Sequence, residues 1–219
     1  MLRPRFGDLL YKPLKARMGA NSTLSVVFVM TNPWDQPAIP QHGDANDSVL
    51  FEWVGRFISQ WEHVEFNLSR LYTVFAGNPD DGESLREYGR GAIFKERLRG
   101  LRECANRYFM AYPNQALEAE FDALSIAAEG FSGRRNEVAH GVSFPTRLLP
   151  FFQDRTATRD RWAITPPYFA LRNYDQSGYA KYGYTSHGLN ELVLRMGALL
   201  IRMETFRKEM LKARGLPLK

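Results

Sequence analysis

The chain has 219 residues, 44% of them hydrophobic and 24% charged, enough to bury a core without metal staples and too apolar for wholesale disorder. A single cysteine, Cys104, rules out an internal disulfide framework and a multi-cysteine zinc site. The net charge of +5 is concentrated in residues 1–17, 86–107 and 202–219, whereas 35–83 is acidic; basic patches favour polyanions, although solvated helix faces carry similar surpluses.

Residues 1–47 carry five prolines among Asn, Asp and Gly clusters and show no sustained helical period. They are expected to form an irregular arm packed on the domain, with one short strand at Leu24–Met30. That stretch is seven residues long, far below the roughly 20 apolar residues of a membrane span, and the apolar core of a secretory signal is usually longer. The chain therefore reads as cytoplasmic and without a membrane partner.

From Ser48 the pattern changes. Val54, Phe57/Ile58, Trp61, Leu68, Leu71/Tyr72 and Phe75 recur at spacings of three and four, which predicts a long amphipathic helix stopped by Gly77-Asn78-Pro79. A second helix is expected from about Ser84 to Tyr108, on the stripe Ile93/Phe94, Leu98, Leu101, Ala105 and Tyr108. A third runs from about Gln115 to His140 and closes at Gly141, the residue type favoured just past a helix end. Residues 142–187 differ in composition: prolines, a run of tyrosines and β-favouring segments at Arg161–Ile164 and Tyr179–Tyr184 predict an excursion with one or two hairpins. A fourth helix, about Gly188 to Lys212, ends the pattern. The fold class is thus mainly α: an antiparallel four-helix bundle over 48–219, with an irregular N-terminal arm and a hairpin-containing excursion before the last helix.

The third helix breaks its own rules near its end. Its apolar row, 117, 121, 124, 128, 131, 135, 138, places Arg135 where a core residue is due, and an inward guanidinium demands a carboxylate or phosphate. Turning about 100° per residue, Glu129, Asn136 and His140 fall on one polar stripe beside that row. Gly130 and Gly133 lie inside the same helix, each costing about 1 kcal/mol against alanine, and their small size allows close approach by a helix or a ligand. The first helix has a matching oddity: Glu65 sits among Trp61, Leu68 and Tyr72. Since a buried carboxylate needs a partner, Glu65 is expected near Arg135, as a plain structural ion pair or as part of a site. Tyr174, Tyr179, Tyr182 and Tyr184, with Arg172 and Lys181 nearby, suit either stacking on unpaired bases or packing as an aromatic hairpin. No pair of histidines has zinc-helix spacing, and no glycine-rich phosphate loop follows a strand.

The string Arg135-Asn136-Glu137-Val138-Ala139-His140-Gly141 at the end of the third bundle helix resembles the signature of the HEPN (higher eukaryotes and prokaryotes nucleotide-binding) superfamily, an arginine, usually followed by a polar residue, and a histidine after four to six intervening residues. Trp61-x3-Glu65-x2-Leu68 is also similar to members of that group. The likeness covers about Asp47 to Lys212, with residues 142–187 poorly matched. It implies a metal-independent endoribonuclease without a cofactor, acting on RNA as a homodimer with two motifs facing across a cleft, in the manner of a toxin or antiviral effector. The implied catalytic residues are Arg135, Asn136 and His140, with Arg134 an ambiguous second arginine and Glu65 and Glu129 in support. Tyr179, Tyr182 and Lys181 are the expected substrate contacts. An antitoxin protein is a further candidate partner, but the tyrosine that many toxin members carry two residues past the histidine is Val142 here, so modification at that position is not supported. The alternative is a non-catalytic HEPN-like module binding RNA, nucleotide or a protein.

Overall fold

The computed structural model describes residues 32–79 and 81–216. The expected strand at Leu24–Met30, and most of the arm, lie outside the described residues. Helix α1, Asp47–Ala76, starts where the Asn46 side chain accepts the Ser48 N–H, and it ends at Gly77. Gly77 has φ of 95°, the left-handed conformation that closes a helix and that glycine adopts without a Cβ clash.

The expected second helix is two helices. Short α2, Gly82–Tyr88, is capped by the Asp81 carboxylate, and α3, Phe94–Ala111, begins afresh after Gly89-Arg90-Gly91. Sequence periodicity missed this break because the apolar stripe it counts, Ile93/Phe94 to Tyr108, lies wholly beyond it, while the two glycines lower helix propensity at the break. Helix α4, Gln115–Ala139, is capped by Asn114, and α5, Ser186–Ala213, by Thr185. Trp61, Leu68, Leu101, Phe121, Leu124, Phe131, Leu192, Met196 and Phe206 are all buried. Helix α1 packs chiefly on α5 and also meets α3 and α4, so the bundle closes around it. At one end the Phe75 ring takes the edges of Tyr108, Phe109 and Phe121 at 5.0–5.6 Å between centroids. Among the described residues no helix is long and apolar enough to cross a membrane.

The excursion is built on a two-stranded antiparallel sheet, β1 (Val142–Pro145) against β2 (Trp162–Thr165), in the register Val142 to Thr165 and Pro145 to Trp162. The segment Arg161–Ile164 is thus largely a strand, as its β-branched and aromatic content predicts. Tyr179–Tyr184 forms only isolated bridges, Ala180 to Tyr174 and Tyr184 to Ile164. Gly141 leads directly into β1. Its φ is not left-handed; it serves for space, because a Cβ there would lie 2.4 Å from Ile164 Cγ2 and 2.6 Å from the Thr165 carbonyl.

Residues 32–47 are clamped on the bundle. Trp34 lies over Gly130, Arg195 donates to the backbone carbonyl of Asp35 at 2.7 Å, and Asp44 pairs with Trp162. Buried Asp154 ties this segment to the excursion by accepting the Gly43 N–H (2.8 Å) and the Thr146 hydroxyl (2.6 Å), with His42 Nδ1 2.7 Å away. Burial opposes the Asp154 charge, but these donors outweigh it and hold the carboxyl below its usual range.

Candidate functional site

The last two turns of α4 set the geometry. At this end of the helix the side chains divide into two faces, one built into the protein and one opening on a cavity.

The built-in face carries Gly130, Arg134 and Glu137. Arg134 Nη1 donates to the Glu137 carboxylate at 2.7 Å and to the Tyr184 hydroxyl at 3.1 Å, and Tyr184 donates to the same carboxylate at 2.6 Å. Glu137 and Tyr184 are buried. Burial, reinforced by the Glu137 charge, pushes the Tyr184 phenol well above its ordinary value, so it stays a donor. Burial works against the Arg134 charge, and Tyr184 and Glu137 more than offset it. Of the two adjacent arginines, Arg134 is therefore the one consumed in a structural triad. This triad locks the end of α4 to the chain entering α5.

The other face lines a cavity of about 840 Å³. Arg135, Asn136 and His140 all open on it, with Glu129, Ser132 and Gly133 from the same helix, so the polar stripe expected from helical spacing is brought together. Across the cavity stand Trp61 and Glu65 of α1, Phe94, Lys95 and Arg97 at the start of α3, and Arg172 from the single-turn 3-10 helix Leu171–Asn173. Arg135 is half-buried, its Nη1 3.1 Å from Asn136 Oδ1. Its Nε is shielded from solvent and has no acceptor among the described residues. His140 caps α4, is exposed, and its ring stands 6.4 Å from the Phe169 ring at 61°. Among the described residues neither nitrogen of that ring has a hydrogen-bond partner.

Glu65 has a different partner from the one its position suggested. Its carboxylate is met by Arg97, whose Nη2 lies 2.7 Å from both oxygens and whose Nε lies 3.0 Å from one. Burial disfavours the Arg97 charge, but Glu65 dominates and keeps the guanidinium protonated more firmly than usual. Glu65 and Arg135 share the cavity wall without pairing. Nothing in the spacing of α3 marks Arg97 as the match, because the α1–α3 crossing decides which side chains meet. Glu129 is likewise occupied, by Arg102 at 2.9 Å. The acidic groups on the wall are thus neutralised, while Arg135, Lys95 and Arg172 have no carboxylate within 4.0 Å among the described residues. The net character of the wall is cationic, which in a recess attracts anions.

The expected substrate contacts are dispersed. Tyr182 is buried near the Arg134–Glu137 pair, where burial and the Glu137 charge raise its pKa. Tyr179, half exposed, lines a separate apolar recess with Phe144 and Leu148. Lys181 donates to the Arg172 carbonyl at 2.8 Å and so supports a cavity residue without entering the cavity. Of the other histidines, His63 and His187 face solvent, and His42 belongs to the Asp154 clamp. Among the described residues no three His, Cys, Asp or Glu side chains are grouped as a metal site requires. Compared with known family models, curated proteins and solved structures, the chain matches none.

Proposed function

We propose that the chain is a metal-independent endoribonuclease of HEPN type, with Arg135, Asn136 and His140 as its reacting set. The observation that carries the reading is the convergence of these three side chains on one cationic recess, where a shielded Arg135 Nε has no acceptor among the described residues. An unsatisfied donor of this kind costs about 1–3 kcal/mol, and a phosphate oxygen supplies what it lacks.

RNA brings its own nucleophile. The 2′-oxygen attacks the adjacent phosphorus while a ring nitrogen of His140 takes its proton, a transfer to which an imidazole is suited. The forked Arg135 guanidinium holds the non-bridging oxygens and favours the charge that builds on them. Asn136, in contact with Arg135 Nη1, fixes the fork. The bond to the 5′-oxygen breaks, leaving a 2′,3′-cyclic phosphate and a 5′-hydroxyl. In-line departure puts that oxygen on the far side of phosphorus, where a second subunit's imidazole can return a proton, and this is the chemical reason for a homodimer.

Purified protein incubated with total RNA in EDTA is expected to cut it and leave cyclic-phosphate ends, with Arg135→Ala and His140→Ala lowering the rate at least about 100-fold. Equal cleavage by the variants, or none by the wild type, overturns the reading. Binding without cleavage favours the non-catalytic module.

A further inference from the structure

The turn between β2 and Arg172 exposes what a folded protein usually hides. Tyr168, Phe169 and Leu171 are 75%, 66% and 79% exposed. The first two rings lie edge to face, 5.9 Å between centroids, and Phe169 also meets the ring of His140. The turn is held in place: the Ala170 N–H bonds the Pro167 carbonyl at 2.9 Å and the Asn173 N–H bonds the Ala170 carbonyl at 2.8 Å. Contiguous exposed apolar side chains on a braced turn are a candidate contact surface.

We propose that Tyr168 and Phe169 form a stacking platform for an unpaired base next to the linkage held by Arg135 and His140. This rests on the endoribonuclease reading. The choice of occupant follows from charge. Phe169 meets His140, which lines the same cavity as Arg172 and Arg135; neither arginine has a carboxylate partner among the described residues, and an apolar protein partner laid across this face would bury charge without compensation. A nucleotide presents an apolar ring to the platform and a phosphate to the arginines. Duplex RNA keeps its ring faces stacked inside the helix, so only an unpaired strand can supply one. Tyr179 lines a separate recess and Tyr182 is buried, so neither ring is part of this platform.

The test measures binding of a 2′-O-methyl oligonucleotide, which cannot be cleaved, as a single strand, as a duplex and with abasic positions. The single strand is expected to bind wild-type protein more tightly than the duplex. Phe169→Leu with Tyr168→Leu should weaken its binding by about 5- to 150-fold, the range for one lost stacked base, and leave the abasic strand unaffected. A strand carrying 2-aminopurine should lose fluorescence on binding the unaltered protein, a readout independent of whether the variants fold. Equal affinity for duplex, unchanged binding by the variants, absence of quenching, or a change in sedimenting mass in place of RNA affinity each overturns the proposal. The stacking signature in a protein that cuts no RNA would leave the platform standing and remove the nuclease reading alone.

Discussion

Two glycines three residues apart in α4 should respond oppositely to the same substitution. A Cβ on Gly133 would meet nothing within 4 Å, whereas a Cβ on Gly130 would lie 2.2–2.5 Å from three ring atoms of Trp34. Replacing a mid-helix glycine by alanine gains about 1 kcal/mol of helix propensity, so Gly133→Ala should raise Tm by about 2–4 °C for a chain of this size. At Gly130 the same gain is set against about 1–3 kcal/mol of overpacking, because the indole has to leave and its neighbours Pro33 and Asp35 are held by Arg195. Gly130→Ala should therefore be neutral to destabilising, melting about 3–9 °C below Gly133→Ala. Combining Gly130→Ala with Trp34→Ala should recover part of the gap, as a coupling of at least about 0.5 kcal/mol. Thermal melts followed by circular dichroism suffice. Equal stabilisation by the two alanines would refute the seating of Trp34 on this helix and, with it, the clamping of residues 32–47.

Glu137→Ala strands the Arg134 charge and should cost about 3–5 kcal/mol in denaturant melts; Tyr184→Phe removes one acceptor and one donor and should cost about 1–2 kcal/mol. A Glu137→Ala variant as stable as wild type would refute the triad. The Asp154 carboxyl is held below its ordinary 3.8 in the folded state, so its contribution is complete above that value and is lost as pH falls through the lower folded one. Asp154→Asn should accordingly flatten the acid limb of stability below about pH 4, and an unchanged limb would count against the clamp.

Much of the bundle was legible because amphipathic period is a local property. The rows through Trp61 and Leu68, through Phe121 and Leu124, and through Leu192 and Met196 predict which faces are buried, and these faces are buried. The same counting placed Glu129, Asn136 and His140 on one stripe of α4. It failed at residues 89–91, where α2 gives way to α3, because the stripe counted for that helix lies wholly beyond the break.

What the chain alone determined is the three long helices α1, α4 and α5, the faces they bury and the polar string at the close of α4. Tertiary structure decided the pairing. Arg97 meets Glu65 across the α1–α3 contact, and Tyr184, forty-seven residues beyond Glu137, takes Arg134 out of the cavity and leaves Arg135 facing it. Neither choice is written in spacing, since a buried charge takes the partner that packing brings within about 3 Å, and that partner lies on another element whose crossing only the folded chain defines.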